Sequence, residues 1–172
     1  MAGTAISDIM EATKLAKGGV YGNFESKDEI CLEALKYLLK SLSDGINNSI
    51  ADKANAKLKL FAILDFYKER LLKTNTGGCP ILNFGTEADD TNPVIKQVVK
   101  EAISFSQSRI AGIVNEGHKA GGLRENFDAD LFAVKMLTML EGAILISRIQ
   151  NTNANMILIT DILKAEIEEN TL

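Results

Sequence analysis

Apolar residues recur at intervals of three and four along almost the whole chain, and no stretch of useful length alternates apolar with polar residues. The first spacing is typical of one face of an α-helix, whereas a half-buried strand needs the alternation that is missing. A chain of 172 residues, 46% of them apolar, is also long enough to bury its own core. The sequence therefore predicts an all-α protein.

Capping residues and breaks divide this pattern into eight helices. Thr4 is the predicted cap of the first, Ser26 with Glu29 forms a capping box for the third, Pro93 opens the sixth and Asp128 caps the seventh. The predicted helices cover about residues 5–13, 18–24, 27–46, 52–73, 79–88, 93–119, 129–149 and 156–169.

The signatures of enzymes, metal sites and cofactor sites are missing. Cys31 and Cys79 stand far apart, without the paired short spacings of a disulfide framework or a zinc site, and His118 is the only histidine. There is no glycine-rich phosphate loop, Gly-x-Ser-x-Gly, CxxC or His-Glu-x-x-His. We therefore expect no catalytic residue, no metal and no cofactor.

Charge and hydropathy bound the location and the partners. The most apolar stretch, Leu131 to Ile149, is interrupted by Lys135, Glu141 and Arg148, and the N-terminus lacks a signal-peptide pattern, so we expect a cytoplasmic protein without a membrane span. The net charge of −4 argues against coating nucleic acid along the whole surface. It leaves room for a local basic site.

Such a site is predicted near the N-terminus, where two short helices and a tight turn precede a long helix, as in a helix-turn-helix. Residues 12–27 contain three lysines and one glutamate, a local net charge of +2. Tyr21 offers a hydroxyl, and Asn23 offers an amide that can pair with an adenine edge. From periodicity alone, a surface hairpin with a solvated lysine face is an equally good interpretation.

The same segment resembles the DNA-binding signature of the TetR (tetracycline-repressor-like) family of bacterial regulators. The resemblance rests on Gly18-x-x-Tyr21-x-x-Phe24-x-Ser26-Lys27, and further matches are Thr4, Ile6, Ile9, Ala12, Lys17 and Glu29. The chain departs from the pattern at four positions. Lys14 stands in place of the turn glycine, and the other three are Ala16, Gly19 and Asn23.

The resemblance implies a DNA-binding domain with its connecting helix over residues 1–46, and a helical ligand-binding and dimerisation domain over 47–172. It also implies that the DNA-binding residues are Thr4, Lys14, Lys17, Gly18, Gly19, Tyr21, Gly22, Asn23 and Lys27. Family members usually carry one more helix before the Thr-x-Ile stretch. Because Met1-Ala2-Gly3 leads directly into Thr4, we expect that helix to be missing.

In this family the last two helices pair with those of a second subunit. The stretch from Leu131 to Ile149 leaves almost no polar face, so it needs cover on every side. A homodimer would provide that cover and place two recognition helices on two half-sites. Burial within one subunit is the alternative.

The resemblance also implies a ligand pocket among the middle helices. Glu141 is costly to bury alone, and we expect Arg109 to pair with it, as an ion pair or as a polar point of the pocket. Cys79 at a helix N-terminus would have a lowered pKa and could sense oxidants or electrophiles, although an inert buried cysteine is the more usual outcome. The candidate ligand-binding residues are Phe61, Leu64, Cys79, Phe84, Phe105, Arg109, Ile113 and Glu141.

Together these features predict a repressor that binds double-stranded operator DNA as a homodimer and is released by a small-molecule inducer. The alternative is a helical ligand-binding and dimerisation protein that does not bind DNA because the first helix is absent.

Overall fold

The computed structural model describes residues 3–72 and 77–172, with only the backbone of Leu72, and these residues form eight α-helices. Within the described residues the only β-type pairing is an isolated bridge between Leu123 and Thr171. The all-α prediction is confirmed. The helices are α1 (Ile6–Thr13), α2 (Lys17–Tyr21), α3 (Lys27–Ile50), α4 (Ala56–Leu72), α5 (Pro80–Ala88), α6 (Pro93–Lys119), α7 (Ala129–Ile149) and α8 (Ala154–Glu169).

Side-chain caps begin three of the long helices, and two of them, Ser26 and Asp128, are the caps predicted from the sequence. Ser26 Oγ accepts from the Glu29 amide at 3.1 Å, Asn92 Oδ1 from the Ile95 amide at 3.0 Å, and Asp128 Oδ1 from the Leu131 amide at 2.9 Å. Each cap satisfies one of the amides that the first turn of a helix leaves unpaired.

Other predicted boundaries were wrong by a few residues. Thr4 does not cap α1: the N-cap is Ala5, whose amide donates to the Asp8 carboxylate at 2.7 Å. The second helix ends at Tyr21 rather than residue 24, and α3 continues to Ile50.

The core is one continuous cluster that extends from α3 to α8. Helix α6 packs along α7, α8 packs on α7 and α4, and α3 packs on α4 and α5. Its most deeply buried members include Leu35, Leu60, Leu64, Phe132, Met136, Leu140, Met156, Leu163 and Ile167.

The N-terminal helices contribute little to this core. Helix α1 buries no side chain, and α2 buries only Val20. Helix α3 is different because Leu35, Leu42 and Ile46 lie in the core while its first residue, Lys27, follows shortly after the end of α2. One continuous helix therefore links the N-terminal part to the body of the protein. No helix in the described ranges is long and apolar enough to cross a membrane.

Candidate DNA-binding end and ligand pocket

A tight turn joins α1 to α2 at Lys14. This residue has φ 59°, in the left-handed region, and it is the C-cap of α1. The Thr13 hydroxyl donates to the Ile9 carbonyl at 2.7 Å and accepts from the Leu15 amide at 3.4 Å, which holds the turn. A positive φ is strained for a residue with a Cβ. The geometry thus explains why the family pattern has glycine where this chain has Lys14.

The structure places the nine predicted DNA-binding residues around α1, α2 and the start of α3, and leaves seven of them exposed. Gly19 and Lys27 are partly buried. The Lys17 ammonium lies 5.9 Å from the centroid of the Tyr21 ring, so the two side chains present one cationic and hydroxyl-bearing surface. Asn23 is engaged within the helix, since its Nδ2 donates to the Gly19 carbonyl at 2.8 Å.

In the body of the protein, the Cys79 thiol donates to Glu141 Oε1 at 3.0 Å. Burial raises the pKa of Glu141, and burial together with the nearby carboxylate raises the pKa of Cys79. The expectation that the α5 dipole lowers the pKa of Cys79 was therefore wrong. Desolvation outweighs the helix end, and the thiol is not activated in this conformation.

The second carboxylate oxygen of this pair is unsatisfied. Glu141 Oε2 is buried and has no hydrogen-bond partner in the described part of the chain. An acceptor left in this state costs about 1–3 kcal/mol, more when it is charged. Protonation of the carboxyl group reduces that cost, in keeping with its raised pKa.

Tyr67 on α4 borders two small cavities. The first is next to Cys79 and the second is next to Arg109. Each has a volume of about 10 Å³, enough for roughly one water molecule. Burial raises the pKa of Tyr67, and the nearby acidic groups Cys79 and Glu141 raise it further.

Arg109 does not pair with Glu141, so the predicted ion pair was wrong. Its Nη2 donates instead to Ser43 Oγ on α3 at 2.6 Å, and its guanidinium lies 4.7 Å from the centroid of the Phe105 ring. Glu141 turns towards α5 while Arg109 turns towards α3, and Tyr67 is close to both charges. Burial lowers the pKa of Arg109.

The remaining candidates line neither cavity on Tyr67. Leu64 and Ile113 belong to the core, and Phe84 packs against it. The ammonium groups of Lys57 and Lys164 lie 5.5 and 5.1 Å from the Phe61 ring centroid. Phe105 is 58% exposed. Tyr67 and Ser43 were not among the predicted site residues, although the hydroxyl of Tyr67, next to the apolar residues of α4, is a usable signal.

A broad apolar face remains exposed on the last two helices. Their inward residues lie in the core, but the opposite sides carry aliphatic side chains that are 43–72% exposed. We call this surface the α7–α8 face, and its members are Leu131, Val134, Leu145, Ile146, Ile149, Ile157, Leu158 and Ile162. Monomeric proteins rarely expose so many clustered aliphatic side chains.

Within the described residues, no group of three or more His, Cys, Asp or Glu side chains is arranged to hold a metal ion.

Comparison with known proteins places this geometry in a family. The model of the tetracyclin repressor-like C-terminal domain matches residues 56–162. A TetR transcriptional regulator from Chloroflexus aurantiacus J-10-FL is 34% identical, with a TM-score of 0.93 over 99% of this chain and 86% of that one. A TetR-family regulator from Cytophaga hutchinsonii is 30% identical, with a TM-score of 0.91 over the same shares.

The chain is also similar to the HTH-type transcriptional repressor DhaR of Mycobacterium sp. (strain GP1). It is 26% identical over 149 residues, which are 86% of this chain and 74% of that protein. The family match covers more than half of the chain, and the solved structures match nearly all of it. The chain therefore belongs to the TetR family of transcriptional regulators, whose members are not enzymes.

Proposed function

We propose that this chain is a ligand-responsive repressor, which binds operator DNA as a homodimer and leaves it when a small-molecule inducer binds. The observation that carries the proposal is the path of α3. This helix begins beside the exposed helix-turn-helix, and its Leu42 and Ile46 border the cavities on Tyr67. A DNA-binding end and a ligand site on one helix are what such a regulator needs.

At the DNA-binding end, α2 would enter the major groove and the cationic side chains would contact phosphates. Lys17 and Tyr21 are exposed on α2, and Lys27 stands at the first turn of α3. Gly18 and Gly19 on α2 and Gly22 at its C-cap have no side chains, so the backbone there can approach base edges closely. Asn23 would have to give up its bond to the Gly19 carbonyl in order to pair with an adenine.

The homodimer would form through the α7–α8 face. Burying a fully exposed Val, Leu or Ile side chain is worth about 1.5–3 kcal/mol, and eight such side chains on each subunit are roughly half exposed. In a two-fold dimer the same surface is used by both copies. That arrangement also sets two α2 helices at a fixed separation, as two half-sites require.

Induction would act by a population shift. A ligand that binds one position of α3 better than another changes the balance between the two positions. Because α3 carries α1 and α2, the separation of the recognition helices changes with it. DNA affinity then falls although the dimer persists. Operator binding also implies that the protein acts in the cytoplasm.

The test is fluorescence anisotropy with DNA from upstream of the gene, titrated at several salt concentrations. Lys17→Gln removes one phosphate contact per subunit, so the log–log salt slope should become shallower by about 2 for the dimer. Lys36→Gln is the matched control, because Lys36 is exposed, lies on α3 and pairs with Glu33. Equal slopes for the two variants would contradict the assigned DNA-binding end. Absence of salt-dependent binding would support a ligand-binding protein that does not bind DNA.

A further inference from the structure

An open groove of about 340 Å³ lies between α3 and α6. We call it the α3–α6 groove. Its volume is within the range of roughly 300–1,000 Å³ that is usual for small-molecule sites. Its lining is mostly apolar, with the Phe105 ring beside the aliphatic residues Leu39, Leu42, Ile46, Ile81, Val98 and Ala102. The groove therefore has the size and the apolar lining to hold a small hydrocarbon.

Arg109 lines this groove, and its contacts are with neutral groups. It bonds the Ser43 hydroxyl and stacks over Phe105, and in the described ranges no carboxylate lies within ion-pair distance of it. The other charged groups of the groove have partners. Lys40 bonds Asp44 at 2.6 Å, and Glu101 accepts from Gln97 at 2.8 Å. Arg109 is thus the groove cation available to an anion.

We propose that the α3–α6 groove binds an amphipathic carboxylate, with its apolar tail along the groove and its head on Arg109. The planar guanidinium matches a carboxylate in a bidentate geometry, and a bond between two ionised groups is stronger than the bond to a neutral hydroxyl. A carboxylate would therefore displace Ser43 from Arg109. This inference rests on the proposed function, because it names the inducer class of that regulator.

The displaced bond gives the ligand a route to the DNA-binding end. Ser43 lies on α3 and Arg109 on α6, so their hydrogen bond joins the two sides of the groove. When Arg109 turns to a ligand, α3 loses this tie to α6. The carboxylate thereby favours a different position of the helix that carries α1 and α2.

A ligand with an amine head group is the alternative to a carboxylate, because the unsatisfied oxygen of Glu141 is a potential acceptor for it. That oxygen is buried beside Cys79, in a region where the cavity has room for about one water molecule. The α3–α6 groove is more than thirty times larger. An organic ligand can therefore reach Arg109 in the α3–α6 groove, whereas there is no room for it beside the Glu141 carboxylate.

The first experiment is isothermal titration calorimetry of the full chain without DNA. Three probes share one tail and differ in the head group: decanoate, decanol and decyltrimethylammonium. Decanoate should bind at least tenfold more tightly than the other two. Equal affinities would show tail burial alone, and tighter binding of the ammonium would assign the site to Glu141; either result overturns the proposal. So does failure of decanoate, octanoate, hexanoate and 4-phenylbutyrate all to bind at millimolar concentration.

Variants then test the residues. Arg109→Gln should weaken decanoate binding at least tenfold, and Arg109→Lys should weaken it less because the charge remains. Ser43→Ala removes the competitor for the guanidinium, so it should strengthen binding by up to about tenfold. Lys36→Gln is the control, because this cation is also on α3 and paired with Glu33 but does not line the groove, and it should change the affinity less than twofold. Unchanged binding in Arg109→Gln, or weaker binding in Ser43→Ala, overturns the proposal.

Thermal midpoints recorded for every variant show whether it is folded. The two hypotheses fail separately, because this titration contains no DNA. Salt-dependent operator binding without carboxylate binding leaves the regulator intact and removes only this inference. Carboxylate binding without operator binding removes the repressor and leaves the ligand site.

Discussion

Replacing Gly117 with alanine should destabilise the protein, whereas the same change at Gly112, on the same helix, should stabilise it. An added Cβ at Gly117 would lie 2.5 Å from Leu123 Cδ1, 2.7 Å from Leu123 Cγ and 2.8 Å from Ala56 Cβ. Carbon atoms in contact prefer about 3.5–4.0 Å, so each neighbour would have to retreat by roughly 1 Å. At Gly112 the added Cβ has no such neighbour within 4 Å.

The neighbours of Gly117 have little freedom to retreat. Leu123 is 1% exposed, and its amide donates to the Gly117 carbonyl at 3.2 Å, so side chain and backbone are held together. Overpacking a filled core costs about 1–3 kcal/mol, and the upper part of that range applies here. Alanine regains about 1 kcal/mol of helix propensity over glycine. The net loss at Gly117 is therefore about 2 kcal/mol, and the net gain at Gly112 is up to about 1 kcal/mol.

Urea denaturation followed by far-UV circular dichroism measures both changes. All proteins should be compared at one concentration, because a dimer gains apparent stability as concentration rises. A midpoint for Gly117→Ala equal to or above that of the wild type would refute the packing argument. A lower midpoint for Gly112→Ala would refute the assignment of open space to its surface.

Three further predictions concern the dimer face, the buried acid and the turn. Leu158→Asp should raise the dimer dissociation constant roughly 30-fold or more in sedimentation equilibrium. The dimer would no longer bury the exposed parts of two leucine side chains, worth about 2–3 kcal/mol together. Val94→Asp should not raise the constant, because Val94 has the same 58% exposure but lies on α6. The raised pKa of Glu141 penalises its ionised form in the folded state, so wild-type stability to urea should fall as pH rises from the ordinary carboxyl range through the raised pKa, and Glu141→Gln should not show that fall. Lys14→Gly should relieve the positive φ and increase amide-exchange protection of α1 and α2 by about 0.5–1 kcal/mol, whereas equal or lower protection would contradict strain at the turn.

Sequence patterns predicted the long helices well because their boundaries depend on neighbouring residues. Pro93 follows the Asn92 cap and opens α6, and Asp128 caps α7. Each cap is a hydrogen bond between residues only three positions apart, so it depends on the local sequence alone. The α2 end was less predictable. The two glycines within α2 and a third at its C-cap give weak helix propensity, so the last turn depends on packing that the sequence pattern does not contain.

The chemistry of the ligand site could not be predicted in the same way, since it depends on partners that are distant in the sequence. A local rule assigns Cys79 the dipole of α5 and predicts a lowered pKa. The actual partner, Glu141, belongs to α7, and burial of the pair reverses the direction. The Arg109 prediction failed for a related reason. Helical spacing indicates on which face of α6 the residue lies, but contacts with Ser43 and Phe105 determine the position of its guanidinium group.

The small size of the two cavities on Tyr67 constrains how any inducer can act. Each holds about one water molecule, so an organic ligand must either remain in the α3–α6 groove or push the walls of a cavity apart. Leu42 and Ile46, both on α3, belong to those walls. The other walls belong to α4, α5 and α7 in the first cavity and to α4, α6 and α7 in the second. Helices α4, α6 and α7 pack more extensively in the core than α3 does, so their displacement would cost more contacts. We therefore infer that α3 moves first on ligand binding by either route, and the two N-terminal helices that it carries move with it.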